Sequence, residues 1–70
     1  MLIRLSEPSL VDDLCENFRR AGFAAQSAGG SMAEIFRPDA PEHGQERREV
    51  ELHLRVWQSM QADAAVEIIS

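Results

Sequence analysis

The single cysteine and the two histidines are the residues whose chemistry could support catalysis or metal binding. The Cys15 thiol could act as a nucleophile if a nearby histidine or cation lowered its pKa. Leu14 and Phe18 lie beside Cys15 at helical spacing, which favours a small core residue over a nucleophile. His43 and His53 match neither the i, i+4 pair of a helical metal site nor a Cys/His framework. The sequence therefore predicts no catalytic residue, no metal site and no bound cofactor.

Four glutamates are concentrated near the start of a predicted second helix. Carboxylates stabilise the positive end of a helix dipole, and neighbouring arginines at helical offsets can pair with them. No two carboxylates are spaced so that one would raise the pKa of the other, so no general acid–base pair is predicted. We expect a solvated face on a non-enzymatic protein. The glutamates are Glu42, Glu46, Glu49 and Glu51.

Composition narrows the class of partner. The 70-residue chain has a net charge of −5, and arginine is its only basic residue type besides histidine. The doublets Arg19-Arg20 and Arg47-Arg48 lie among carboxylates, which disfavours nucleic-acid binding. No apolar stretch approaches the ~20 residues of a membrane span, and no signal peptide is evident. With one unpaired cysteine we expect a cytoplasmic protein, and the Arg- and Ala-rich, Lys-free composition suggests a GC-rich bacterial genome.

The first half of the sequence predicts a strand, a helix and a second strand. Met1 to Leu5 reads as a central strand, and Ser6-Glu7-Pro8 as the cap and first turn of a helix. Gly22 suits the left-handed residue that ends a helix, with the next residue placed to pack on Phe18. Phe23 to Ala28 reads as a strand that leads into a two-residue hairpin at Gly29-Gly30.

The second half predicts a strand, a helix and a final strand. Met32 to Arg37 returns along the sheet, and Pro38 to Gly44 forms a connection. The second helix begins between Glu42 and Arg47. Ala64 to Ile69 alternates as a strand, with Val66 and Ile68 directed toward the helices.

The segment from Arg48 to Trp57 fits two patterns. Its aliphatic residues alternate as in a strand, but only a helix continues through Gln61. In the helical reading, Leu54 and Trp57 are buried while Arg55 and Gln58 are exposed. Leu52, Val56 and Met60 lie alongside the buried line and broaden the apolar arc.

This order of elements resembles the ferredoxin-like split βαβ domain over the whole chain. The resemblance implies an α+β fold, in which a four-stranded antiparallel sheet carries two helices on one face, as one domain over residues 1–70. More narrowly, Met1 to Pro8 and Glu51 to Trp57 are similar to short uncharacterised proteins of GC-rich bacteria. That family has no assigned activity, so the resemblance implies a fold and no site.

The better-known ferredoxin-like families each require residues that can be checked. A heavy-metal domain has a Cys-x-x-Cys pair after the first strand, and an acylphosphatase has an Arg-containing anion loop there; this chain has Ser6-Glu7-Pro8. An RNA-recognition motif needs aromatic residues on both central strands, and only Phe36 is present. An amino-acid-sensing ACT-type domain remains open, although Glu7-Pro8 replaces its usual glycine-containing turn.

The sheet face away from the helices is the predicted site of function. Alternation leaves open which face of the second and third strands is inward. We assign to the outer face the alternating residues that include both charged and large apolar side chains. A bare face of this kind usually meets a partner. We therefore predict a homodimer, or docking on a protein partner, through the open face or an edge strand; the alternative is an ACT-like small-molecule sensor with its ligand at a dimer interface. The predicted interface residues are Leu2, Arg4, Met32, Glu34, Phe36, Glu67 and Ile69.

Overall fold

The computed structural model describes residues 1–38, 43–61 and 64–69. The four strands form one open antiparallel sheet in the order β2-β3-β1-β4. Strands β1 and β3 are therefore central, and β2 and β4 are the edges. With two helices this is an α+β arrangement, as the sequence predicted. The elements are β1 Leu2–Leu5, α1 Leu10–Arg20, β2 Ala24–Ser27, β3 Met32–Phe36, α2 His43–Ser59 and β4 Val66–Ile68.

The strand register decides which side of the sheet is buried. Ile3 on β1 lies opposite Ala33 on β3 and Ile68 on β4, so these side chains share one face. Both helices contribute to the same apolar cluster as that face, and the other face carries no described helix. The buried core consists of Ile3, Leu5, Val11, Leu14, Cys15, Phe18, Phe23, Ala25, Ala33, Ile35, Val50, Leu54 and Trp57.

Helix α1 begins at Leu10, later than the sequence predicted. Ser6 does not cap it, because the Ser6 N–H donates to the Ala65 carbonyl at 2.9 Å and the Ser6 hydroxyl accepts the Ala65 N–H at 3.2 Å. Ser6 thus extends the ladder between β1 and β4. A separate turn through Pro8 precedes the helix, with the Leu10 N–H donating to the Glu7 carbonyl at 3.2 Å.

The end of α1 follows the prediction. Gly22 has a φ of +94°, a left-handed conformation that costs glycine little. The Phe23 N–H donates to the Phe18 carbonyl at 3.0 Å, and the Gly22 N–H donates to the Arg19 carbonyl at 3.1 Å. This is the Schellman pattern, and the Phe18 and Phe23 rings meet edge to face at 5.0 Å.

Several predicted boundaries shift by one or two residues. The Phe23 N–H is used by the helix end, so β2 begins at the next residue. The hairpin loop has three residues, since the Met32 N–H closes on the Gly29 carbonyl at 3.1 Å while the Ala28 N–H bonds the Met32 carbonyl at 2.9 Å. Gly44 belongs to α2 and not to the connection; the rest of that connection after Pro38, with Glu42 and the His43 side chain, lies outside the described residues.

Helix α2 is confirmed as a helix, but its apolar arc is buried along one edge only. Trp57 is fully buried and Leu54 is 4% exposed. Leu52, Val56 and Met60 are 65%, 52% and 60% exposed. The residues that broaden the arc in the sequence therefore point into solvent. Neither helix, within the described ranges, is long and apolar enough to cross a membrane.

Polar side chains join the two helices along their contact. The Trp57 indole N–H donates to Asp13 Oδ2 at 2.9 Å, and the Gln61 amide donates to the same oxygen at 3.1 Å. One helical turn earlier, His53 Nε2 lies 2.8 Å from Asn17 Oδ1. These bonds specify the rotation of α2 about its axis, because a different rotation would leave the buried indole N–H unsatisfied.

Leu54 and Leu52 provide a test of this rotation within one helix. Leu54→Ala should lower the free energy of unfolding by about 2–5 kcal/mol, since it removes a buried side chain. Leu52→Ala should change it by less than about 0.5 kcal/mol, since that side chain is already in water. Urea unfolding followed by far-UV circular dichroism measures both. Equal losses at the two positions would contradict the described rotation.

Candidate interaction surface

The structure places every residue of the predicted interface on the sheet face that the helices do not cover. Strand β1 contributes Leu2 and Arg4, and the alternating pattern of β3 contributes three more residues. Residue 67 lies opposite Arg4 in the register of β4. Residue 69 follows β4, and its N–H donates to the Leu2 carbonyl at 2.8 Å. The remaining members are Met32, Glu34, Phe36, Glu67 and Ile69.

Apolar and charged side chains alternate across this open face. Phe36 and Ile69 are each 40% exposed, and Leu2 and Met32 are half-buried. Glu34 lies directly opposite Leu2, so a carboxylate stands in the middle of the apolar group. Any partner of this face must therefore offer polar groups at its centre as well as apolar surface.

Two carboxylates, Glu34 and Glu67, share the open face with Arg4, and Arg4 forms an ion pair with one of them. Arg4 Nη1 lies 3.2 Å from Glu67 Oε1, between exposed side chains. Glu34 instead accepts a hydrogen bond from the Gln26 amide at 3.4 Å. Among the described residues Glu34 forms no salt bridge, because Met32 and not Glu34 is opposite Arg4 in the register.

Cys15 is a free, buried cysteine in the core, the environment that its flanking residues predicted. Burial raises the pKa of the Cys15 thiol; the nearby Arg19 guanidinium opposes this effect and the Asp12 carboxylate adds to it. The protonated thiol is therefore favoured at neutral pH, and a protonated thiol is a weak nucleophile.

The sequence did not predict the polar partners of Arg37. Its Nη1 donates to Glu49 Oε2 at 2.9 Å and its backbone N–H donates to Glu46 Oε2 at 3.0 Å. These two glutamates were predicted to form a solvated helical face; both are partly buried instead. Glu51 does pair within the helix, accepting from Arg47 Nε at 2.8 Å. No sequence pattern marks the Arg37 contacts, since they join a strand end to a helix.

His53 lies at the border of the core and is partly buried. Its ring is 4.5 Å from the Phe18 ring, edge to face, and stacks on the Phe23 ring at 5.7 Å. With Asn17 as its polar partner, His53 serves the packing between helices. Within residues 1–38, 43–61 and 64–69, no group of three or more His, Cys, Asp or Glu side chains is arranged to hold a metal ion.

Comparison with known proteins identifies no relative at a significant level. No family model matches this sequence, no curated protein is significantly similar to it, and no solved structure matches its fold at a significant level. The surface described above is therefore the basis for any functional proposal.

Burial of Cys15 predicts a slow thiol. We expect native protein to react with a disulfide reagent at mildly alkaline pH far more slowly than protein unfolded in urea. Because burial raises the pKa of the native thiol, the unfolded thiol ionises first as the pH rises. The free energy of unfolding should therefore fall as the pH rises through and above the ordinary thiol pKa. Absorbance of the released reagent measures the rate. A native rate equal to the unfolded rate would show that Cys15 is accessible.

A double-mutant cycle tests the ion pair on the open face. Arg4 and Glu67 should show a coupling energy of about 0.2–1 kcal/mol, the range of exposed pairs. The same cycle on Arg4 and Glu34 is the matched control and should give a smaller value, because these side chains are diagonal neighbours. Thermal or urea unfolding of the single and double alanine variants supplies the energies. Larger coupling to Glu34 would contradict the register.

Proposed function

We propose that this chain is a non-enzymatic interaction or regulatory module with a ferredoxin-like fold. The fold assignment is supported by the position of β3, which lies between β1 and β2 and is antiparallel to both, while α1 connects those two strands. We interpret this insertion of β3 between β1 and β2 as support for a split βαβ arrangement. We further propose, from composition and the sequence resemblance, a cytoplasmic bacterial protein that binds a protein partner and not nucleic acid.

The open sheet face is the observation that carries the proposal. It exposes Phe36 and Ile69 on the side that neither described helix covers. A domain of this size buries only ~60% of the surface that its unfolded chain exposes, so the core alone stabilises it modestly. Covering the open face would bury additional apolar area at roughly 25 cal/mol per Å².

A second copy of the chain is the proposed occupant of this face. The face carries a cation, Arg4, which pairs with Glu67 in the same chain through one exposed contact, and a carboxylate, Glu34, that has no salt-bridge partner among the described residues. In a two-fold dimer the same patch meets itself, so Arg4 of each copy can approach Glu34 of the other. The same face therefore carries both the carboxylate, Glu34, and the cation, Arg4, that could pair across the dimer interface.

Phe36→Glu tests the dimer. The side chain is outside the intramolecular core, so the variant should stay folded, and the added charge should oppose face-to-face packing. Wild-type protein should be dimeric at micromolar concentrations by light scattering or sedimentation, and Phe36→Glu should be monomeric with an unchanged far-UV spectrum.

Leu52→Glu is the matched control, because it adds the same charge to an exposed apolar residue on α2. It should leave the dimer intact. A monomeric wild type, or equal dissociation by both variants, would overturn the proposal. A rise in Tm with amino acids that requires the dimer would instead favour the ACT-like sensor.

A further inference from the structure

A second surface lies where the edge strand β4 runs beside α2. The two elements border an open groove of about 270 Å³. Sites for small molecules are typically ~300–1,000 Å³, so this groove has room for one or two side chains and not for a cofactor. Its lining residues are Glu51, Leu54, Arg55, Gln58, Val66 and Ile68.

The backbone of β4 presents unused hydrogen-bonding groups to this groove. In an antiparallel ladder alternate residues bond to the neighbouring strand. The Ile69 N–H donates to the Leu2 carbonyl, and Ala65 bonds with Ser6 on both sides, so the odd-numbered residues face β1. The N–H and C=O groups of Val66 and Ile68 therefore point outward, and within the described chain no partner bonds to them.

Helix α2 lies within hydrogen-bonding reach of that edge. The Gln58 amide donates to the Ala64 carbonyl at 3.1 Å. Ala64 lies two residues before β4, so Gln58 contacts the chain just ahead of the edge strand and lies at one end of the groove. Gln58 was predicted to be exposed; it is half-buried because of this contact. An added strand would bond to the outward backbone groups of Val66 and Ile68.

The groove has an apolar floor and an unbalanced charge at its rim. Leu54 is buried, and Val66 and Ile68 are partly buried against the core. The rim carboxylate, Glu51, is already paired with Arg47. Arg55 is exposed and has no partner among the described residues. The rim thus offers one cation without a counter-charge, on a chain whose net charge is −5.

We propose that this edge and groove bind an extended segment of a partner protein by strand addition to β4. The segment bonds to the outward backbone groups of Val66 and Ile68. Alternate side chains of an extended strand point the same way, so one apolar side chain enters the groove while an acidic side chain two residues away meets Arg55. The recognised sequence is therefore an apolar and an acidic residue at i and i+2.

A second copy fits this edge less well than an acidic segment. The β4-to-β4 register that pairs Val66 of one copy with Ile68 of the other places the two Glu67 side chains directly opposite each other. Like charges in that position destabilise strand pairing. This surface is also separate from the open face, so the inference does not depend on the proposed dimer.

A displayed library of random heptapeptides, selected on the immobilised protein, tests the inference. We expect enrichment of peptides with an apolar and an acidic residue at i and i+2. The most enriched peptide, synthesised with a fluorescent label, should then bind in solution by anisotropy. Val66→Pro removes one outward N–H and no bond to β1, a change that edge strands tolerate. Its affinity should fall by about tenfold or more.

A charge swap supplies the second arm. Arg55→Glu should bind the acidic peptide with about tenfold lower affinity than wild type does. It should bind a version of the peptide with lysine in place of the acid more tightly than wild type does. Arg48→Glu makes the same change on the same helix outside the groove and should bind as wild type does. Phe36→Glu should also bind normally, so failure of the dimer proposal is distinguishable from failure of this one.

Three outcomes would overturn the inference. The first is a selection that enriches the same peptides on folded Val66→Pro as on wild type. The second is equal affinity of the acidic peptide for Arg55→Glu and Arg48→Glu. The third is loss of self-association in Val66→Pro without any peptide binding to wild type, which would assign the edge to a second copy. Far-UV circular dichroism and Tm establish that each variant is folded.

Discussion

Burial of Trp57 is the constraint on which the rest of the structure depends. Among the described residues, its side chain is the largest that is completely buried, and its indole N–H must keep a hydrogen bond inside the protein. Asp13 on α1 supplies that bond at 2.9 Å. A helix could shift its apolar arc by one residue at little cost if only apolar contacts held it. The directional bond to Asp13, together with that between His53 and Asn17, leaves one rotation of α2.

That rotation determines what each surface of the molecule offers. It directs Leu54 inward and sets Arg55 and Gln58 beside the β4 edge. It also turns Leu52 and Val56 into solvent. The open sheet face does not depend on this rotation, because it follows from strand alternation and from the side of the sheet on which the helices pack. The open sheet face thus reflects the alternation of residues along the strands, whereas the groove forms only where α2 packs beside β4.

Much of the fold and of the open face could be predicted, because both follow from local periods. Strand alternation, with the part-charged set assigned to the outside, grouped Leu2, Phe36 and Ile69 on one face. The helical spacing identified the burial of Cys15 and Trp57. Errors fell at element ends and at polar residues of α2, where Glu46, Glu49 and Gln58 are partly buried and not exposed. Ser6 was expected to cap α1, but it joins Ala65 in the β1–β4 ladder. A serine can cap a helix or extend a ladder, and only the presence of the neighbouring strand decides which.

The sequence by itself determined the order of the elements, the strand alternation that builds the open face and the Gly22 helix end. These depend on residues close together in the chain, where spacing carries the information. Only the tertiary structure decided which edge of the α2 arc is buried, which carboxylates Arg37 meets and that a groove opens beside β4. Those features join residues far apart in sequence. Their energy arises from directional hydrogen bonds and close packing that exist only once the elements are assembled.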